Sequence, residues 1–136
     1  MNNFIKAFIG LLLILFSFDL SVNSALSQQK LYQVKGTASY YARKFHGRKT
    51  TSGEIFSNDS LTAAHKWLPF GTFVRVTNLR NDSVVVVRIN DRLPKKSTRI
   101  IDLSRAAAKQ LNFLVQGLTK VYVEEIPKDK IINRGG

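Results

Sequence analysis

Cysteine is absent from the 136-residue sequence. This absence excludes disulfide bonds, metal sites built from thiolates, and a lipid attached to a cysteine that would follow a leader peptide. Acidic residues are also scarce, with 9 Asp and Glu against 21 Lys and Arg, which gives a formal net charge of +12. Each carboxyl group therefore lies in a cationic field that favours its ionised form, and the charge suits an anionic polymer or a membrane surface as a partner.

An apolar run covers residues 7–18, near the start of the chain. A helix of this length extends for roughly 18 Å, which is less than the ~30 Å hydrocarbon core of a membrane. Together with the small residues Ala25 and Ser27, the run predicts a cleaved signal peptide over residues 1–27 and no stable membrane anchor. We therefore expect a periplasmic or secreted protein. Nucleic acid would satisfy the charge, but export and the lack of a nucleic-acid-binding motif argue against it.

Short apolar or alternating segments separated by turn residues follow from residue 31 onward, a pattern typical of strands. The apolar run 84–89 is almost continuous, as in a strand covered on both faces. Ser104 is placed to cap a short helix over 105–111. The chain thus predicts a mainly β domain over 28–126, a compact β-barrel with one or two short helices, and then a basic disordered tail over 127–136. The predicted strands are 36–41, 73–78, 84–89 and 120–126.

Two carboxylates follow apolar segments and are the first candidates for chemistry. Asp91 comes after the predicted strand 84–89, where burial would raise its pKa and nearby arginines would lower it. If strand alternation continues, Asp91 shares a face with Ile89. The opposite face then carries Arg88, Asn90 and Arg92. The alternative is an aspartate held in an ion pair or a turn at a strand end.

Asp102 is the second of these carboxylates, and it lies just before the predicted helix. A carboxylate at that position complements the N-terminal helix dipole and accepts hydrogen bonds from backbone or arginine donors. We therefore expect Asp102 to have a structural role.

A series of motifs occurs in order along the chain and carries a family resemblance. The motifs are GTASYY (36–41), FHGR (45–48), TSGE (51–54), TAAH (62–65), LPFGT (68–72), VTN (76–78) and the two Asp runs. The series resembles the RlpA-like family of double-psi β-barrel proteins over roughly residues 34–126. The resemblance implies a six-stranded double-psi β-barrel, related to expansins and to one class of lytic transglycosylases, that acts on peptidoglycan glycan strands.

The implied reaction is endolytic cleavage between N-acetylmuramic acid (MurNAc) and N-acetylglucosamine (GlcNAc), with formation of a 1,6-anhydro product, in cell-wall remodelling or division. The alternative is a non-catalytic, expansin-like module that binds peptidoglycan without cutting it. Leu93 favours this alternative, because members of the family usually have Gly-Pro directly after the Asn-Asp-Arg triplet that here contains Asp91. A third interpretation is a structural partner of cell-division or envelope proteins.

The resemblance also suggests roles for individual residues. Asp91 would serve as acid and then as base, because the attacking C6 hydroxyl belongs to the substrate and one carboxyl group suffices. Glu54 and His65 would position sugar, assist proton transfer or orient Asp91, although the histidine also fits a purely structural role. We expect a monomer with no cofactor and no metal, since His46 and His65 lack close ligand spacing. The residues expected to contact the glycan are Tyr41, Thr62, Asn90 and Arg92.

Overall fold

A closed barrel of six strands forms the centre of the computed structural model, which describes residues 29–133. The strands are β1 (Gln33–Tyr40), β2 (Thr62–His65), β3 (Phe73–Asn78), β4 (Val84–Arg92), β5 (Ile101–Leu103) and β6 (Thr119–Glu125). Around the barrel their order is β1, β5, β2, β4, β3, β6. This closed barrel of parallel and antiparallel pairs confirms the predicted fold class. The predicted signal peptide, 1–27, lies outside the described residues.

Within residues 29–133, three short helical segments accompany the barrel: a 3₁₀ helix (Arg43–Phe45), α1 (Arg105–Gln110) and α2 (Lys128–Ile132). Ser104 caps α1 as predicted, and its hydroxyl accepts a hydrogen bond from the backbone N–H of Ala107 at 3.3 Å. Helix α2 falls within the tail predicted to be disordered, of which residues 134–136 lie outside the described part. It buries no residue and has Asp129 in its first turn and Lys130 in its last, an arrangement that complements the helix dipole locally.

The barrel interior is apolar because alternate residues of its strands point inward. On β3, Val74 and Val76 are fully buried. The expectation that the β-branched run of β4 is covered on both faces is wrong, since Val84 is 47% exposed while Val85 and Val87 are buried. In a closed barrel the outer face of an antiparallel pair is free to contact solvent, so an apolar run does not require two covered faces.

Strand β4 contains one more residue than its parallel partner β2 at the point where they pair. Ala63 pairs with Ile89 and Ala64 pairs with Asp91, so Asn90 has no counterpart. Neighbouring residues of β2 point to opposite faces, and Ile89 and Asp91 therefore do so too. Ile89 is fully buried in the core. The prediction that Asp91 shares its face is wrong, because this β-bulge reverses the alternation and turns Asp91 outward.

Candidate active site

Three polar residues and one alanine lie in one row across four neighbouring strands of the barrel. Ser39 of β1 pairs with Asp102 of β5, Asp102 pairs with Ala64 of β2, and Ala64 pairs with Asp91 of β4. Paired residues project from the same face of a sheet, so the two carboxylates share the outer face with only the small Ala64 side chain between them. Since adjacent strands are about 4.8 Å apart, the backbones of Asp91 and Asp102 are separated by roughly 10 Å.

This row lines an open groove with a volume of about 750 Å³. Ser39, Asp91 and Asp102 contribute to its lining, and residues from the ends of β1 and β4 and from the segments that follow them complete it. A groove of this volume is within the usual range for sites that bind small molecules or short pieces of a polymer. The end of β1 and the segment after it supply Tyr40, Tyr41, Ala42, Phe45, Arg48 and Lys49, and the end of β4 and the segment after it supply Arg92, Pro94 and Arg99.

Asp91 accepts three hydrogen bonds at the edge of this groove. The Tyr41 hydroxyl donates to Oδ2 at 2.5 Å, and the backbone N–H groups of Thr51 and Arg92 each donate to Oδ1 at 2.9 Å. Burial by itself raises the pKa of Asp91, but the hydrogen bonds from Tyr41, Thr51 and Arg92 outweigh it and leave the pKa below its usual value. Asp91 is therefore ionised at neutral pH in the free protein.

Tyr41 connects Asp91 to the aromatic side of the groove. Its ring stacks on Phe56 with centroids 4.2 Å apart and contacts Phe45 edge to face at 5.9 Å. Burial raises the pKa of Tyr41, and the hydrogen bond to Asp91 and the charge of that carboxylate add to the effect. The hydroxyl therefore keeps its proton and remains a donor to Asp91. Tyr41 lines the groove.

Glu54 contacts β4 and does not line the groove. Its carboxylate accepts hydrogen bonds from the Arg88 guanidinium at 2.8 Å and from the Asn90 amide at 2.9 Å. These two bonds lower the pKa of Glu54. Its backbone carbonyl accepts the Thr50 N–H at 2.8 Å and so closes the turn that presents the Thr51 N–H to Asp91. Glu54 is thus connected to Asp91 through this turn.

His65 lies inside the barrel end and is only 1% exposed. It follows Ala64 on β2, so its side chain projects from the face opposite to Asp91. Its Nδ1 accepts the backbone N–H groups of Trp67 at 3.2 Å and Leu68 at 3.0 Å. Burial, followed by the positive charges of Arg92 and Lys66, lowers its pKa to about 4. The imidazole is therefore neutral at pH 7, and within residues 29–133 no hydrogen bond joins it to Asp91.

Three other residues predicted to contact the glycan differ in their access to the groove. Arg92 lines the groove, and its guanidinium donates to the Leu68 carbonyl at 2.8 Å and lies 4.0 Å from the centroid of the Phe70 ring. Asn90 is 3% exposed and donates to Glu54. Thr62 is 5% exposed, and its hydroxyl has no hydrogen-bond partner within the described residues.

Asp102 lies on β5 and faces the groove, while Ser104 caps the helix that follows. It accepts the Ser39 hydroxyl at 2.5 Å and two bonds from the Arg99 guanidinium, at 2.7 and 3.0 Å. The expected arginine hydrogen bonds are therefore present. The groove position was missed, because β5 has only three residues and no recognisable strand pattern.

The sequence patterns did not predict that Ser39, Arg48 and Lys49 line the groove. They also did not predict the Thr51 backbone N–H as a donor to Asp91. A backbone donor leaves no signal in the residue types, and a basic residue in a chain with 21 Lys and Arg does not stand out. Among residues 29–133, no group of three His, Cys, Asp or Glu side chains is placed to hold a metal ion. In the same part of the chain, no helix has the length and apolar character needed to cross a membrane.

A closed six-stranded barrel with a polar groove across β1, β5, β2 and β4 defines a double-psi β-barrel protein with a surface site. A family model described as "Lytic transglycolase" matches residues 33–123. The chain belongs to the RlpA-like double-psi β-barrel family.

Curated relatives agree with this assignment. The chain is 52% identical over 99 residues to the endolytic peptidoglycan transglycosylase RlpA of Pasteurella multocida (strain Pm70), which covers 73% of this chain and 34% of that protein. It is 50% identical over 101 residues to the RlpA protein of the same description from Pseudomonas aeruginosa (strain UCBPP-PA14), with 74% and 30% covered. The chain thus spans about a third of the length of these relatives.

Solved structures show the same fold at lower sequence identity. A Streptomyces papain inhibitor matches with a TM-score of 0.58 and 22% identity, covering 71% of this chain and 96% of the inhibitor. An expansin from Clavibacter michiganensis matches with a TM-score of 0.58 and 19% identity, covering 71% of this chain and 52% of the expansin. At these identities the likeness concerns the fold alone.

Proposed function

We propose that the protein is an endolytic lytic transglycosylase of the cell envelope, periplasmic or secreted, that cleaves peptidoglycan between MurNAc and GlcNAc. The observation that carries this proposal is the Asp91 carboxylate, turned outward by the β4 bulge into a groove of about 750 Å³ and held there by three donors. Support also comes from the RlpA protein of Pasteurella multocida, described as an endolytic peptidoglycan transglycosylase and 52% identical over the matched 99 residues.

The proposed reaction uses Asp91 for both proton transfers. Protonated Asp91 donates its proton to the glycosidic oxygen, which leaves as the O4 hydroxyl of GlcNAc. The C6 hydroxyl of MurNAc attacks C1 of the same sugar and returns its proton to the Asp91 carboxylate. The product carries a 1,6-anhydro ring, and Asp91 ends in the state in which it began. One carboxyl group therefore suffices, whereas a glycosidase that uses water needs a matched pair.

The hydrogen bonds around Asp91 determine when this reaction can begin. Because they lower its pKa, the protonated form of Asp91 that starts the reaction is populated only at a lower pH than for an ordinary aspartic acid. In this proposal Glu54 and His65 are positioning residues. Glu54 fixes the turn that presents the Thr51 N–H, and His65 fixes the backbone that follows β2.

Product analysis tests the proposal directly. The purified protein and its Asp91→Asn variant are incubated with peptidoglycan, and the soluble products are analysed by mass spectrometry. We expect anhydro-MurNAc products from the parent and a loss of at least about 100-fold in the variant, because a general acid contributes 10²- to 10⁴-fold. Asp59→Asn, an exposed aspartate that does not line the groove, is the matched control and should retain activity. Equal product from parent and Asp91→Asn would exclude Asp91 as the acid.

A binding module without cleavage is the second candidate. The lowered pKa of Asp91 favours it, because an ionised carboxylate is a good acceptor for sugar hydroxyls and a poor proton donor at neutral pH. The same incubation separates the two functions. A parent protein that releases no anhydro product but retains glycan at moderate salt concentration is a binding module.

A further inference from the structure

The groove contains more positive than negative charge. Four cationic side chains and two carboxylates line it, so its formal charge is 4 − 2 = +2. Two of the cations already have partners: Arg99 donates two hydrogen bonds to Asp102, and Arg92 donates to the Leu68 carbonyl and lies over the Phe70 ring. The other two cations are Arg48 and Lys49.

Arg48 and Lys49 are exposed on the side of the groove that carries the aromatic residues. Within residues 29–133, neither side chain forms an ion pair or a hydrogen bond. In the same range, the carboxylates of Asp91, Asp102 and Glu54 are bonded to other donors. Two groove cations that form no ion pair or hydrogen bond within residues 29–133 are therefore available to an anionic ligand.

The backbone holds both cations at this position. The Arg48 N–H donates to the Phe45 carbonyl at 3.1 Å, and the Phe56 N–H donates to the Arg48 carbonyl at 2.7 Å. Lys49 forms a β-bridge with Ile55. The Arg48 guanidinium lies 5.5 Å from the Phe45 ring centroid, and this ring contacts Tyr41, the residue that donates to Asp91. The Arg48 guanidinium thus lies near the Phe45 ring, this ring packs against Tyr41, and the Tyr41 hydroxyl donates to Asp91.

We infer that Arg48 and Lys49 form a subsite that binds a carboxylate group of the glycan beside Asp91. The identity of the ligand as peptidoglycan rests on the proposed function. MurNAc, the sugar whose C1–O bond would break, carries a lactyl carboxyl group, and a stem peptide attached there carries carboxylates of its own. Either source would be repelled by the ionised Asp91, and two unpaired cations offset that repulsion. The planar guanidinium of Arg48 suits a bidentate contact with a carboxylate.

Binding measurements in the Asp91→Asn background test this subsite, because the glycan then stays uncut. Three ligands are compared at one ionic strength: intact strands, strands stripped of peptide by an amidase, and stripped strands whose carboxyl groups have been converted to methylamides. The test variant is Arg48→Gln with Lys49→Gln. The control, Arg80→Gln with Lys109→Gln, removes the same charge from exposed residues that do not line the groove. Arg48→Lys provides a second, more conservative test.

The test variant should bind a carboxylate-bearing strand roughly tenfold more weakly, the loss expected for one charge-assisted hydrogen bond, and should bind the methylamide strands unchanged. A loss confined to stripped strands identifies the lactyl carboxylate as the ligand, and a loss confined to intact strands identifies the stem peptide. Arg48→Lys should show a smaller loss with the same ligand.

Equal losses for the test and control pairs would overturn the subsite, as would a parent that binds methylamide strands as tightly as charged ones. These outcomes do not depend on cleavage. A protein that makes no anhydro product can still show the carboxylate preference, and an active enzyme can lack it.

Discussion

At the scale of single residues, the ionisation of Asp91 depends on the donors around it. Burial and hydrogen bonding have opposite effects on its pKa, and hydrogen bonding prevails. One of the three donors is a side chain, the Tyr41 hydroxyl, and the other two are backbone N–H groups. Tyr41 is therefore the donor that a substitution can remove without changing the main chain.

Tyr41→Phe should shift the pH dependence of cleavage to higher pH. The hydrogen bond from Tyr41 lowers the pKa of Asp91, so its loss raises that pKa and keeps the acid form populated at higher pH. The measurement is kcat/KM as a function of pH for both proteins. Tyr122→Phe, which removes a hydroxyl from β6 away from the groove, is the control. An unchanged position of the alkaline limb would argue that Tyr41 does not tune Asp91.

His65 should make the folded protein less stable in acid. Its pKa is about 4 in the fold and 6.5 in an unfolded chain, so the unfolded state binds more protons between these values. The resulting loss of stability from pH 7 to pH 4 is roughly 3 kcal/mol. His65→Asn supplies a non-titrating acceptor for the same backbone N–H groups and should reduce this slope. Urea unfolding at several pH values measures it, and equal slopes for parent and variant would contradict the assignment.

At the scale of elements, the groove is assembled by a bulge and a turn. The bulge at Asn90 turns Asp91 from the barrel interior to the outer face. The turn 50–54 then places a backbone donor on the carboxylate, and Glu54 fixes that turn against β4 through Arg88 and Asn90. The orientation of the Asp91 side chain thus depends on the pairing of β4 with β2 and on the turn 50–54, which are distant from each other in sequence.

Glu54→Gln should lower cleavage activity and move the pH profile of Asp91 upward. The charged acceptor for Arg88 is lost, the turn loosens, and the Thr51 donor that lowers the pKa of Asp91 is held less well. Because the Glu54 side chain is 43% exposed, we expect a stability loss of no more than about 1 kcal/mol. Kinetics across pH and thermal unfolding measure the two effects. A loss of activity with no pH shift would instead indicate direct contact between Glu54 and the substrate.

At the scale of the whole molecule, the formal charge of +12 favours association with an anionic polymer, such as the proposed peptidoglycan substrate. Exposed charges interact through solvent and are screened by salt over roughly 10 Å at 0.1 M. We therefore expect adhesion to such a polymer to be a property of the entire surface. The proposed cleavage depends on the groove, so the two can be separated by experiment.

Raising the salt concentration from 50 mM to 500 mM should weaken retention of the protein on peptidoglycan several-fold. The Asp91→Asn variant should show the same salt dependence as the parent, because a single groove residue changes the surface field little. Co-sedimentation with insoluble peptidoglycan measures both. Retention that does not respond to salt would show that shape and hydrogen bonding, rather than net charge, control adhesion.

The sequence by itself determined the mainly β barrel and the capped helix after Ser104. These follow from local patterns: alternation on β3, turn residues between strands, and a capping hydroxyl before a helical segment. Strands β2 and β5 were not predicted, because four and three residues are too few to show a period.

Only the tertiary structure decided which way Asp91 points and what surrounds it. One unpaired residue in β4 reverses the side-chain alternation, and such a bulge is defined by pairing with a distant strand. Tyr41 and Thr51 reach Asp91 across 50 and 40 residues of sequence. His65 lies inside the barrel. Which face of the barrel a strand residue points to depends on how its strand pairs with distant strands, and the residues next to His65 in sequence do not reveal this pairing.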